Sequence, residues 1–233
     1  MSRSKAYTAA ANSVIQECLV SPKVAIESLK NIHFAKFDET VELHFNLGID
    51  PRHADQQLRG TINLPNGTGR TVRMVVIAPE AKHDVALKAG ADIVGEADVI
   101  EKIQKGWTEF DIVIATPEVM SKVGRLGKVL GTRGLMPSPK SGTVTSDLEK
   151  TVSEFKAGKI EYRNDKQGLI HVILGKASFT SDQLLENFMV VYDTIVKAKP
   201  SKAKGVYLKS VALCTTMSPS VKVEPLKVKW KEN

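Results

Sequence analysis

Apolar and polar residues alternate without a break from Val41 to Leu47. Val41, Leu43, Phe45 and Leu47 are apolar, and Glu42, His44 and Asn46 lie between them. A period of two predicts a strand with one face in a core and the other in water, as in an antiparallel sheet. Upstream, Ser21-Pro22 reads as the N-cap and first residue of a helix whose apolar stripe is Ala25, Leu29 and Ile32.

Past Pro65-Asn66-Gly67-Thr68-Gly69 the pattern changes. Short, continuously apolar strands are predicted over Arg73–Ala78, Ala91–Val94 and Phe110–Ala115. Helical stretches follow each of them, at Glu80–Ala89, Ala97–Lys105 and Pro117–Val129, and a further helix over Ser146–Lys156 ends at Gly158. Strands apolar on both faces and separated by helices indicate βαβ units and a parallel sheet. Alternation then returns in Lys159–Asn164 and Leu169–Leu174. Between them lies Asp165-Lys166-Gln167-Gly168, a hairpin signal. A long helix comes next, opened by Thr180 with Gln183 three residues on, the spacing of a capping box. Its apolar face is Leu184, Leu185, Phe188, Val191, Tyr192 and Ile195, and Pro200 closes it. Gly205–Cys214 is the last predicted strand.

The pattern therefore predicts α/β and α+β architecture in two domains. A split antiparallel α+β domain, residues 1–67 plus 160–233, carries an inserted Rossmann-like parallel α/β domain, residues 68–159. Both crossings contain glycine, at Gly67-Thr68-Gly69 and at Ala157-Gly158-Lys159, which suits a hinge. No internal repeat or low-complexity tract is present.

With 42% hydrophobic residues, the 233-residue chain has ample material for a core, which excludes a wholly disordered protein. The net charge of +7 favours a polyanionic partner, although such a charge also serves solubility. It is unevenly placed. Residues 160–233 carry 12 Lys+Arg against 7 Asp+Glu, residues 68–159 carry 14 against 12, and residues 1–67 carry 7 of each. The basic excess thus falls in the outer domain. Two cysteines, Cys18 and Cys214, lie far apart without CxxC spacing, an arrangement that fits isolated thiols in a reducing compartment. The apolar runs are too short to cross a membrane, and the basic N-terminus lacks the apolar stretch of a signal peptide. A soluble, non-secreted protein is expected.

Nothing in the chain reads as an active site. A dinucleotide fold needs glycines directly after its first strand, but Ala78 is followed by Pro79-Glu80-Ala81, and no GxxxxGK[ST] occurs. The histidines (33, 44, 53, 83, 171) show no metal-ligand spacing, and no nucleophile motif is present. No catalytic residue, cofactor or metal is expected. Gly124-Arg125-Leu126-Gly127 and Gly131-Thr132-Arg133-Gly134 have the GxxG form of a backbone-clamping RNA loop. Pro137 and Pro139 nevertheless predict an extended connection from Gly131 to Val144 and a structural loop.

One long run is specific. Gly127-Lys128-Val129-Leu130-Gly131-Thr132-Arg133-Gly134-Leu135-Met136-Pro137-Ser138-Pro139-Lys140-Ser141-Gly142-Thr143-Val144 closely resembles the signature of the large-subunit ribosomal protein one ("L-one") family. Further blocks resemble that family in the right order along essentially the whole chain. They are Lys36-Phe37 with Glu42, Leu47-Gly48-Ile49-Asp50-Pro51-Arg52, Leu64-Pro65-Asn66-Gly67-Thr68-Gly69, Tyr162-Arg163-Asn164-Asp165-Lys166, Ile170-His171, Gly175-Lys176 and Thr215-Thr216-Met217. Thr132 and Ser218 depart from the pattern, standing where the family usually has proline and glycine.

The resemblance implies a split domain with a Rossmann-like insertion. It also implies a structural constituent of the large ribosomal subunit, a monomer there, that binds the stalk helices of the large ribosomal RNA and aids movement and release of deacylated tRNA at the exit site. In bacteria it further implies a translational repressor of the protein's own messenger RNA. The compartment would be the bacterial cytoplasm or an organellar stroma or matrix. Carried over by position, the RNA-binding residues are Lys36, Phe37, Thr40 and Glu42, then Ser210, Thr216, Met217 and Ser218, with Arg163, Asp165, Lys166 and His171 from the hairpin. Hydroxyls and Glu42 suit 2′-hydroxyl partners, and lysine and arginine suit phosphates. Phe37 and Met217 would cover base or ribose faces, although a lone Phe or Met ordinarily packs in a core. Two rivals from other classes are a nucleotide-dependent enzyme built on the inserted domain and a nonspecific basic RNA chaperone.

Overall fold

The structure, a computed structural model, describes residues 4–14 and 19–225. In chain order its regular elements begin with α1 (Lys5–Ser13), α2 (Pro22–Ile32), β1 (Thr40–Leu47) and β2 (Arg59–Asn63). Then come β3 (Met74–Ile77), α3 (His83–Lys88), β4 (Ile93–Gly95), α4 (Ala97–Gln104) and β5 (Ile112–Ala115). The helices α5 (Met120–Val123), α6 (Gly127–Thr132) and α7 (Leu148–Ala157) follow. The chain closes with β6 (Lys159–Arg163), β7 (Leu169–Lys176), α8 (Ser181–Lys197), β8 (Leu208–Thr215) and β9 (Val221–Val223). Two compact units result, one from Met1–Gly69 with Ile160–Asn233 and the other from Arg70–Lys159. Among the described residues no helix is long and apolar enough to cross a membrane. Cys18 lies outside the described residues, so Cys214 is the thiol the structure places, and it is free.

The first unit is organised by β1. Sheet order is β7-β1-β8-β9, and β1 runs antiparallel to both of its neighbours. Its inward residues Val41, Leu43, Phe45 and Leu47 are almost wholly buried. They share a core with Ala25, Ile26 and Leu29 of α2 and with Leu184, Phe188, Val191, Tyr192 and Ile195 of α8. Tyr192 packs against Phe45 and Phe188, with ring centroids 6.3 and 5.9 Å away. The start of α8 forms by the capping box read from the sequence. Thr180 Oγ1 accepts from Gln183 N at 3.3 Å, and Gln183 Oε1 accepts from Thr180 N at 3.0 Å. At Ser21 the N-cap position is occupied as expected, but the side chain makes no capping bond.

One buried polar residue ties this core together. Asn187, fully buried on α8, donates through Nδ2 to Leu174 O at 2.7 Å and Gly67 O at 3.0 Å, and its Oδ1 accepts from Asn66 N at 3.1 Å. A helix, the edge strand β7 and the Asn66-Gly67 turn are thereby joined by one amide.

The second unit is a parallel sheet of order β4-β3-β5. All four residues of β3 are buried because both faces are covered. Val75 and Ile77 face a cluster that includes Ile103, Val123, Leu126 and Leu130. Met74 and Val76 face the opposite cluster, which contains Ala86, Val152 and Phe155. Asp147 caps α7 by accepting from Lys150 N at 3.3 Å, and Gly158 ends that helix at φ 113°.

Three local expectations are corrected. The single helix expected over Pro117–Val129 is a chain of short pieces, with 3₁₀ turns at Pro117–Val119 and Gly124–Leu126 alternating with α5 and α6. Glycine lowers helix propensity and interrupts the segment, yet burial of Val123, Leu126 and Leu130 keeps it helical through Thr132. The extended connection therefore begins later than Gly131, and Pro139–Ser141 adds another 3₁₀ turn. The hairpin also opens after one bridge, Asn164↔Ile170. Beyond it β6 pairs with β2, while β7 joins β1. Asn164 steers that divergence, because its Oδ1 accepts from Leu58 N at 2.6 Å. Finally, α1, β2 and β9 are elements the pattern did not predict, since β2 has Ile62 as its one large apolar residue and β9 spans three residues.

Asn187→Leu should lower unfolding free energy by about 3 kcal/mol, since it leaves two carbonyls and one amide unpaired in the core. Urea denaturation checks this, with an unchanged midpoint as the contrary result.

Candidate nucleic-acid interface

The outward residues of the four-stranded sheet form rows set by strand register. Glu42 sits between Ile173 and Cys214, His44 between His171 and Ala212, and Asn46 between Leu169 and Ser210. Glu42, His171 and Ser210, read separately from sequence, therefore stand on one wet face. His44 and Cys214 share that face and were not singled out. His44 belongs to the same alternation as Glu42, so its placement was available from the period. Cys214 carried no local signal.

The end of the sheet nearest Thr40 gathers most of the remaining candidates. Thr40 N donates to Thr216 Oγ1 at 3.1 Å, which joins the entry to β1 to the exit from β8. A β-bulge between Val41 and Glu42 brings Lys176 opposite Thr40, and its amine donates to Thr40 Oγ1 at 3.0 Å. Around this junction Lys36 is exposed, as is Thr216, while Phe37 and Met217 are 53% and 50% exposed. Neither large apolar residue follows the ordinary course of packing into the core.

Arg163, Asp165 and Lys166 are exposed but lie elsewhere. Their turn adjoins the far end of β1, where Leu47 N donates to Gly168 O at 3.1 Å. Eight residues of strand separate it from Thr40, roughly 25 Å. Asp165 has a local task there, since its Oδ1 accepts from Gln167 N and Leu169 N, both at 2.8 Å. The candidates thus form a group at the Thr40 end, a central face and a distant turn.

Ser218 is placed differently from a surface contact. It is buried, and its Oγ is 2.6 Å from Thr215 Oγ1. Thr215 is also hydrogen-bonded to Glu39, a carboxylate with no solvent exposure. Glu39 Oε1 and His33 Nε2 have no hydrogen-bond partner among the described residues, and His33 Nε2 stands 3.9 Å from Glu39 Oε2. Beneath the exposed pair Thr216-Met217 there is therefore a buried polar anchor, which sequence reasoning missed apart from Ser218 itself. The hydroxyl that replaces the family's usual glycine is turned inward to this anchor. Thr132, the other departure, ends α6 with its hydroxyl donating to Val129 O at 3.1 Å.

The central face is polar but weakly charged. His44 Nδ1 lies 2.7 Å from His171 Nδ1, and His44 Nε2 lies 3.0 Å from Cys214 Sγ. Burial, then the neighbouring His171, holds the His44 pKa below its ordinary value, with Glu42 opposing. Burial first, and then the Glu42 and Glu39 carboxylates, push the Cys214 thiol up to about 11.

Thr215→Val should cost about 2 kcal/mol of stability, because it leaves the buried Glu39 carboxylate without its hydroxyl partner. Ser218→Gly should cost about 1 kcal/mol, the scale of a single hydrogen bond. Thermal unfolding of the two variants tests the order, and equal melting temperatures for both and the parent would remove the anchor.

Hydroxyls and half-exposed apolar side chains at one end of the antiparallel sheet are a surface suited to RNA. The model of the ribosomal protein L1p/L10e family matches residues 29–219, which is most of the chain and includes segments of both units. The chain belongs to this family of structural, ribosomal-RNA-binding proteins of the large ribosomal subunit.

Proposed function

We propose that the Thr40 end and the outer face of the β7-β1-β8-β9 sheet bind the stalk helices of the large ribosomal RNA. The observation that carries this reading is the pair Phe37 and Met217, each half exposed and close in sequence to a partner of the Thr40–Thr216 hydrogen bond. Exposed apolar side chains beside hydroxyls suit RNA, in which splayed bases stack on side chains and 2′-hydroxyls need polar partners. Lys36 and Lys176 supply cations for phosphate at the same end, and Thr40, Glu42, His171 and Ser210 extend the surface along the strands. Arg163, Asp165 and Lys166 form a second contact at the far turn. Ser218 acts from below by holding the Thr216-Met217 turn.

Two finer roles rest on the family resemblance. The protein aids movement and release of deacylated tRNA at the exit site, acting as a monomer in the ribosome. In a bacterial cell it represses its own messenger RNA through a mimic of the ribosomal site, and in an organelle this role does not follow. The two units act as separate domains, the split one for primary RNA recognition and the inserted one for the moving stalk.

Affinity for a stalk ribosomal RNA fragment should exceed that for a scrambled hairpin at physiological salt. With few phosphate contacts, it should fall only on the order of tenfold between 50 and 200 mM salt. Equal affinity for both RNAs would mean a nonspecific basic chaperone. Met217→Ala and Thr216→Val should each weaken stalk binding more than Ser218→Gly does, as measured on the same fragment.

Excising residues 70–159 and joining the ends through a short linker should leave most of this affinity intact. If the excised protein unfolds cooperatively but binds more than tenfold weaker, the inserted unit takes part in primary recognition.

A further inference from the structure

We propose that Glu42, His44 and Cys214 form a binding site for a borderline divalent cation of the Zn²⁺ class on the outer face of the four-stranded sheet. One ligand atom from each residue lies within 4.8 Å of the other two. Glu42 and His44 are two apart on β1 and so share a face, and Cys214 is directly across from Glu42 on β8. The sheet's own register thus assembles the set, and no loop has to close to complete it.

The donor set matches the ion. Thiolate, imidazole and carboxylate together suit Zn²⁺ and its spectroscopic stand-in Co²⁺, while Mg²⁺ and Ca²⁺ prefer oxygen alone. His44 Nε2 is 3.0 Å from Cys214 Sγ and 3.8 Å from Glu42 Oε2. Tetrahedral bonds of about 2.0–2.3 Å would separate ligand atoms by about 3.4–3.6 Å, so side-chain shifts of up to about 1 Å seat the ion. The outer side of the sheet leaves a fourth position for water.

His171 supplies the orientation such sites need. Its Nδ1 is 2.7 Å from His44 Nδ1, and accepting that N–H fixes the tautomer with the lone pair on Nε2, toward Cys214 and Glu42. His171 is therefore a positioning residue. Binding releases the thiol proton to solvent as the metal–sulfur bond forms, with no change of oxidation state.

Reduced, metal-free full-length protein titrated with Co²⁺ tests the proposal. The expected result is saturation at one equivalent, with a near-ultraviolet thiolate-to-cobalt charge-transfer band that excess Zn²⁺ abolishes. In a Cys18→Ser background Cys214 is the sole thiol, so a retained band assigns the sulfur without touching the site. Cys214→Ser should remove the band, His44→Ala and Glu42→Gln should weaken Co²⁺ binding at least tenfold, and His171→Ala should weaken it several-fold. The proposal is overturned if no saturable band forms, if the band is lost with Cys18→Ser, or if His44→Ala and Glu42→Gln bind Co²⁺ as tightly as the parent. Because the titration contains no RNA, its outcome is independent of the RNA-binding reading that also uses Glu42.

Discussion

The first unit depends on the two-residue period of β1 being held in one register. Paired on both sides, by β7 and β8, the strand sends Val41, Leu43, Phe45 and Leu47 into the core and Glu42, His44 and Asn46 to water. A slip of one residue would exchange the two sets and bury a carboxylate and an imidazole against Phe188 and Tyr192. Stability and function are therefore settled by the same constraint. The apolar half makes the slip costly, and the polar half inherits a fixed outward array.

Buried polar groups then place the segments that the sheet alone leaves free. Asn187 holds the Asn66-Gly67 turn to α8 and β7 by three hydrogen bonds. Glu39, Thr215 and Ser218 do the same beneath the exposed Thr216-Met217 pair. Each group is costly to bury without a partner, so each fixes the backbone that supplies one. This explains how serine occurs at 218 without projecting toward a ligand. Its hydroxyl has a partner inside the protein.

Family membership and geometry answer different questions. The match over residues 29–219 makes the chain a structural, RNA-binding protein of the large ribosomal subunit. The geometry separates the candidates by location, with Lys36, Phe37, Thr40, Thr216 and Met217 at one end of the sheet and the Asp165 turn at the other. In the parallel unit, Pro79 and Glu80 follow the central strand, and both faces of that strand are spent on core packing. That sheet offers a scaffold with no phosphate cradle at its first turn.

The sequence by itself determined the features that one segment can encode. These are the alternation of β1, the wholly apolar β3 and β5, the capping box of α8, the glycine end of α7 and the long proline-glycine signature of the family. Each depends on neighbours within a few residues, where backbone geometry and hydrophobic period act directly. What depends on distant partners was decided by the tertiary structure. Two alternating runs around a turn look the same whether they pair with each other or, like β6 and β7, with β2 and β1. One helix was expected to stop before an extended connection from Gly131, but burial of Val123, Leu126 and Leu130 keeps a chain of short helical pieces going through Thr132. Ser218 meets Thr215, whose hydroxyl reaches a carboxylate 176 positions earlier, and Cys214 was brought beside His44 by strand pairing across 170 residues. No local period carries such information, because pairing and burial are set by which surfaces meet when the chain folds.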